Sequence, residues 1–194
     1  MTRHPATRYT CPPNPARTMP DLVTSRLILR SWRDADRAPL AAITGDPHTM
    51  RFFAITRTPA QSDAWMERAQ AHIDRHGFGI WAAEVPGTGL IGFVGLSTIP
   101  PDLPVAPGVE LVWTLGAAWW GHGYAPEAAR AAALDGFARL GVAEILAFTA
   151  AVNAPSRRVM EKIGMRYDPL ASFDHPRVPA GHVLRRHVVY RIKE

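Results

Sequence analysis

The chain has 194 residues, 47% of them apolar and 20% charged, which is ordinary for one soluble domain with a real hydrophobic core. No apolar run approaches the ~18 residues that a membrane-spanning helix needs. The net charge of +5 makes no case for specific nucleic-acid binding, because Arg3, Arg8 and Arg17 in an acid-free opening segment carry three of those charges. Cys11 is the only cysteine and has no disulfide partner in the chain, so the setting reads as reducing and cytoplasmic.

Residues 1–20 hold five prolines and no apolar run. They are therefore not a secretory signal, and the prolines disfavour an amphipathic transit helix. This segment reads as a flexible arm ahead of a folded domain over 21–194. Leu22–Trp32 has the branched, alternating look of one strand. Asp34 opens a helical pattern with Leu40 and Ile43, which Gly45-Asp46-Pro47 breaks. Ser62–His76 is a second amphipathic helix, carried by Trp65, Ala69 and Ile73 and ended by Gly77. Phe78–Val85 and Leu90–Ile99 read as strands joined by a Pro-Gly-Thr-Gly hairpin turn. Val109–Leu115 is a further strand. The next helix starts at Pro126, shares a face through Ala129, Ala133, Phe137 and Leu140, and stops at Gly141. Ala143–Ala151 reads as a buried strand, Asn153–Ile163 as a helix, 169–181 as an irregular loop and His182–Lys193 as a last strand. This order predicts an α/β domain, a mixed sheet with helices on both faces.

The chemistry concentrates where strands run into helices. Trp119-Trp120-Gly121-His122-Gly123-Tyr124-Ala125-Pro126-Glu127 places a Gly-x-Gly turn between a strand and a helix. Such a turn points backbone N–H groups outward at a helix N-terminus, a site for a phosphate or pyrophosphate. A second strand-to-helix junction offers Asn153 and Ser156. Glu110 stands on the strand before the glycine turn and faces the same side as Val112 and Thr114. A buried carboxyl there suits a general base for an amine. Plainer readings stand beside these. The turn alone is an ordinary feature, Glu110 is also a plausible ion-pair partner, Ser156 a helix cap, and Arg157 with Arg158 a solvated face. Gly87-x-Gly89-x-x-Gly92 matches the dinucleotide fingerprint by letter, but strand residues follow it, so it reads as a hairpin turn. His72 and His76 have metal-ligand spacing without a third ligand, and no metal is expected.

Three segments together resemble the GNAT superfamily: Glu110-Leu-Val-Trp-Thr-Leu115, Trp120-Gly-His-Gly-Tyr-Ala-Pro-Glu127, and Asn153-Ala-Pro-Ser156 through Gly164. With Thr24-Ser-Arg-Leu-Ile-Leu-Arg30 as a first strand, the chain is similar to the Rim-type group, which includes ribosomal-protein alanine N-acetyltransferases. The resemblance implies the acyl-CoA N-acyltransferase fold with a mostly antiparallel sheet. It also implies acetyl-CoA-dependent transfer to a primary amine by direct attack on the thioester. By the same analogy Trp120, Gly121, His122, Gly123, Tyr124 and Ala125 form the pyrophosphate turn. Trp113 and Leu115 align the pantetheine arm, and Asn153, Ser156 and Arg157 complete the coenzyme site. Glu110 and Ser156 are the implied catalytic pair, as base and thiolate proton donor. Two positions depart from the pattern: Ala118 stands where an Arg or Gln is frequent, and Met160 where many relatives carry an acidic tyrosine.

The expected acceptor is a protein N-terminus or a small-molecule amine, polyamine-like or aminoglycoside, lying between the first two helices and the loop 170–181. Glu84, Asp168 and Asp174 are candidates to attract it, and Trp32, Trp81 and Phe52-Phe53 to line its groove. A monomer or homodimer is expected. The competing functions are a non-catalytic acetyl-CoA-binding regulatory module, which has no need of Glu110, and a nucleotide-dependent oxidoreductase, which requires the Gly87 motif to open a helix.

Overall fold

The computed structural model describes residues 19–194. The strands are β1 (Leu22–Val23), β2 (Ile28–Arg30), β3 (Ile80–Val85), β4 (Gly89–Thr98), β5 (Val109–Leu115), β6 (Glu144–Ala150), β7 (Arg166–Asp174) and β8 (Arg186–Lys193). The helices are α1 (Arg37–Gly45), α2 (Pro59–His76), α3 (Tyr124–Asp135) and α4 (Ala154–Lys162). The strands form one sheet in the order β1-β2-β3-β4-β5-β6-β8-β7. Every neighbouring pair is antiparallel except β5 and β6, which are parallel. This is the mixed, mostly antiparallel α/β architecture expected.

Period-two alternation sorts the strand residues onto the two faces. Val94 and Leu96 join Ala128, Ala129, Ala132, Ala133, Phe137 and Met160 in the main core under α3 and α4. The alanines of α3 have no bulk, so the helix axis lies close against β4 and β5. Phe93, on the opposite face, packs with Leu40 of α1 and Met66 of α2. Farther along that same face, Leu146, Phe173 and Val189 form a smaller cluster with Ile99 and Leu103.

Four local readings change. Leu22–Trp32 is not one strand but two short antiparallel ones, with Thr24 N–H bonded to the Leu27 carbonyl at 2.9 Å. The turn is bound to a residue about a hundred positions away, Glu127, which local alternation does not reveal. The stretch 169–181 is irregular only from His175, because β7 runs to Asp174. Pro169 sits at the register break between Asp168 and Phe173, and β7 is a sheet edge, where a missing N–H is tolerated. Helix α2 starts at Pro59, three residues early, because Thr58 and Gln61 form a reciprocal capping box. Helix α3 starts at Tyr124 with Gly123 as N-cap, so Pro126 is its third residue rather than its first. Position N3 still has no N–H partner inside a helix, so proline costs nothing there.

Most of the presumed arm lies outside the described residues. Met19, however, is buried in the main core, and the Pro20 carbonyl accepts from the Trp81 indole at 3.0 Å. Trp81 itself is fully buried beneath this contact, not exposed in a groove.

One buried charge cluster ties β2 to β3. Arg30 is only 4% exposed and donates to both Asp36 oxygens at 2.7 and 2.8 Å and to Glu84 at 2.5 Å. Replacing Arg30 by Met leaves two carboxylates facing each other without their cation. This substitution is expected to lower stability by about 3–5 kcal/mol in urea unfolding.

Candidate active site

Strands β5 and β6 are joined through α3, and they share one register pair, Glu110 opposite Leu146. The rest of β5 lies beyond that pair, so the two edges part toward their C-terminal ends. A cavity of about 400 Å³ opens in the gap. Glu110 to Leu115 line one side, and Phe148 to Ala150, Asn153, Ser156 and Met160 line the other.

Each parted strand leads into a helix. After β5, a short 3-10 turn over Ala117–Trp119 precedes the glycines. Gly121 and Gly123 have φ of 81° and 80°, a region that side chains with a Cβ rarely enter. No side chain caps α3. The backbone N–H groups of Gly121, His122, Gly123, Tyr124 and Ala125 have no acceptor among the described residues. The first engaged amide is Glu127 N–H, which bonds the Gly123 carbonyl at 3.3 Å. Five consecutive free donors at the positive end of a 12-residue helix form a concave anion site.

The turn is braced from outside. Arg26 donates to the His122 carbonyl at 2.8 Å, and Thr49 Oγ1 accepts from Ala117 N–H at 3.0 Å. Glu127 accepts from Thr24, Ser25 and the Arg26 backbone and guanidinium. Burial alone would raise the Glu127 carboxyl, but these bonds outweigh it and hold the group below its usual value. The acidic residue in the first turn of α3 is therefore neutralised on the β1–β2 side.

The other expected site residues fall into three groups. Trp113, Leu115, Trp120 and Ala125 line the cavity with Glu110, Asn153 and Ser156. The Trp120 indole donates to the Leu115 carbonyl at 2.8 Å, which fixes one edge group of β5. Gly121, His122, Gly123 and Tyr124 lie on the turn. There His122 stacks on Tyr124 with centroids 5.6 Å apart, and Arg26 covers the same ring at 4.8 Å. Arg157 is not among the lining residues; it donates to the Tyr190 hydroxyl at 3.3 Å.

Asn153, not Ser156, caps α4. Its Oδ1 accepts from Ser156 N–H at 3.2 Å, and its Nδ2 donates to Thr149 at 2.9 Å. The Ser156 hydroxyl borders the cavity and has no hydrogen-bond partner among the described residues.

The Glu110 carboxyl forms no ion pair or hydrogen bond among the described residues, and burial pushes it up to about 8. The acids Glu84, Asp168 and Asp174 do not line the cavity. Each is paired with arginine: Glu84 with Arg30, Asp168 with Arg191 at 2.8 Å, and Asp174 with Arg186 at 3.4 Å. Arginine side chains at those positions remove the acids from any role in drawing a cation into the groove.

Sequence reasoning overlooked Arg51, Arg57, His175 and His187, all of which line the cavity. His175 and His187 have ring centroids 4.8 Å apart, and burial is the main cause lowering both below the usual histidine value. Alternation along β8, which sets His187 on the side of Val189, was the available signal. Among the described residues no three His, Cys, Asp or Glu side chains gather as a metal site. His72 and His76 instead pack against each other and Phe78, with 4.4 Å between the two imidazoles. Gly87 and Gly89 turn the β3–β4 hairpin, and no helix follows them.

Residues 26–166 match the family model for the acetyltransferase (GNAT) domain. The chain belongs to the GNAT acetyltransferase family. It is 33% identical over 148 residues to the uncharacterized protein YkkB of Bacillus subtilis, covering 75% of this chain and 85% of that one. It is 28% identical over 160 residues to the FsC-acetyl coenzyme A-N(2)-transacetylase of Aspergillus fumigatus, covering 78% and 67%. Among solved structures it is similar to an acetyltransferase from Agrobacterium tumefaciens, with 26% identity, a TM-score of 0.74, and 91% and 96% of the two chains covered. As a GNAT member the chain is an N-acetyltransferase, and the family's donor is acetyl-CoA. No helix among the described residues is long and apolar enough to cross a membrane.

The raised Glu110 pKa has a stability consequence. The folded state holds this proton where the unfolded chain has released it, so stability falls as pH rises from about 4.5 through about 8. Glu110→Gln removes that dependence. Melting temperatures followed across this range are expected to decline less for the variant than for the parent.

Proposed function

We propose that the parted β5–β6 edge takes the acetyl-pantetheine arm of acetyl-CoA and delivers its thioester to an amine held beside Glu110. Three features of one cavity support this reading. The strand edge is open, free amides gather at the start of α3, and the Glu110 carboxyl, unpaired among the described residues, lines the cavity from β5. The amides from Gly121 to Ala125 would hold the pyrophosphate, with Tyr124 and His122 packed beside it. The Trp113 backbone and the Leu115 N–H would take the arm as a strand-like partner and polarise the acetyl carbonyl, the Leu115 carbonyl being held by the Trp120 indole. Asn153 keeps the α4 end rigid. Arg157 reaches a coenzyme phosphate only by leaving Tyr190, so it is the weakest member of the set.

The reaction needs one base and one acid. Glu110, ionised, accepts the proton that the amine must lose, directly or through water. The amine nitrogen then forms the new C–N bond, and the C–S bond breaks. The Ser156 hydroxyl, which borders the cavity, would protonate the departing thiolate, since Met160 has no proton to give. A protein N-terminus, as the Rim-type resemblance implies, or a small amine would serve as acceptor. A cytoplasmic setting belongs to the same reading and rests on the lone Cys11.

Calorimetric titration with acetyl-CoA, paired with free-thiol release against peptides and amines, tests the whole reading. Turnover with at least one amine is expected, and no acetyl-CoA binding at all would overturn it. Gly123→Val is expected to weaken acetyl-CoA binding about tenfold or more, because a β-branched residue strains at φ 80°. Unchanged affinity would argue against the phosphate turn. Glu110→Gln is expected to lower kcat about 10²–10⁴-fold. It should also erase a rising limb of the pH profile centred near 8. Survival of that limb would assign the proton to the amine or to water. A non-catalytic module would keep its function in this variant.

A further inference from the structure

The cavity has an acceptor end on the face opposite α3. Cross-strand partners place it: Thr114 stands opposite Phe93, Glu110 opposite Ser97, and His187 opposite both Ala150 and Phe173. Phe93 in turn packs on Trp65 of α2, with ring centroids 4.4 Å apart. Phe52, from the α1–α2 connection, meets Ala150, Val178 and Leu184, so that connection and the β7–β8 connection close over this end.

The charge at this end is unusual for a site meant to take an amine. Arg57 lines the cavity, is only partly exposed, and lies over Trp65 at 5.1 Å. Its side chain has no carboxylate and no hydrogen-bond partner among the described residues. Arg26, Arg30, Arg37, Arg139, Arg177 and Arg191 each have an acid. Burial, with the charge of Arg68 behind it, pushes the Arg57 guanidinium below its ordinary value, yet an arginine stays protonated. Glu110 is the one acid among the described lining residues, and burial keeps it largely neutral at pH 7. A half-buried, unpaired guanidinium is costly unless an anion completes it. Arg51 lines the cavity too, but its guanidinium donates to the His48 carbonyl at 3.0 Å and lies over Phe52 and Trp120 at 4.8 and 4.4 Å. Of the two lining arginines, Arg57 is therefore the one whose guanidinium has no hydrogen-bond partner among the described residues.

We propose that the acceptor is an amine whose molecule also bears a carboxylate or a phosphate, and that Arg57 pairs with this anion while the amine reaches Glu110. The proposal rests on the acetyl-transfer reading above and narrows its acceptor. Polyamines and aminoglycosides, with several cations, would meet an arginine and no ionised acid. The flat guanidinium suits a two-oxygen anion, and the aromatic side chains of Phe52, Phe148 and Trp65 suit an apolar body between the two charges.

Matched amines test this with the full chain and saturating acetyl-CoA: tyramine against tyrosine, ethanolamine against O-phosphoethanolamine, and spermidine alone. Free-thiol release is expected to favour the anionic member of at least one pair by about tenfold or more in kcat/KM. The tyrosine and phosphoethanolamine arms separate carboxylate from phosphate. Arg57→Gln should bring the ratio near one, chiefly through KM, and Arg57→Lys should restore part of it. Melting curves establish that both variants fold. Preference for spermidine or for the members that lack the anion overturns the proposal and leaves acetyl transfer standing. So does an equal loss for both members of a pair in Arg57→Gln, or a loss of acetyl-CoA affinity in that variant, which would assign Arg57 to the donor. Thiol release with none of the amines also overturns it, and titration with acetyl-CoA then shows whether the donor reading falls as well.

Discussion

Backbone hydrogen bonds in a sheet are normally completed by the next strand, and between β5 and β6 that completion stops after Glu110 and Leu146. The remaining edge groups of β5 border a cavity instead of a neighbour. The parting follows from the connection between the two strands. α3 returns the chain from the end of β5 to the start of β6, so the strands run parallel. Its fully buried alanines, Ala128, Ala129 and Ala132, let it press against β4 and β5. Both strands then end beside each other at helix starts, where free amides on one side and the Asn153 cap on the other face a common gap. A row of free amides, an open strand edge and a carboxyl thus come from one topological irregularity.

The electrostatics on the two sides of this gap differ in kind. On the α3 side the attraction for an anion comes from amides and the helix dipole, with no lysine or arginine in the turn itself. The acid that would oppose it, Glu127, is bonded to Thr24, Ser25 and Arg26. On the opposite face of the sheet the determinants are half-buried side chains: a carboxyl without a cation and a guanidinium without an anion among the described residues. Both are unfavourable in isolation. Each is the kind of group whose free energy improves when a ligand of matching charge arrives. The single bond from Ala117 N–H to Thr49 joins the α1–α2 connection to the turn that precedes α3, so the two share one support.

Length, alternation and helix periodicity were enough to read most of the elements. Val109–Leu115 agrees residue for residue, and α2, β4, β6 and α4 differ only at their ends. These are segments where one face is buried by ordinary apolar side chains, so the pattern and the structure have the same cause. The glycine turn was legible for a similar reason, because Gly121 and Gly123 occupy backbone conformations that other residues avoid. The cluster of Glu110, Trp120, Asn153 and Ser156 was legible through family resemblance more than through local chemistry.

What the sequence determined by itself was therefore most of the elements and the strand–turn–helix junction, set by local backbone preference and by periodic burial. Pairing partners came only with the tertiary structure. It broke Leu22–Trp32 into a hairpin because Glu127 binds the turn, and it added a strand, β7, that runs through Pro169 where none was expected, because an edge strand does not need that N–H. It also committed Glu84, Asp168 and Asp174 to arginines, and left the Arg57 and Glu110 side chains facing the cavity without partners among the described residues. Charge alone cannot say which acid meets which arginine. That choice is made by the positions of residues far apart in the chain, through short-range contacts and burial that no sequence window contains.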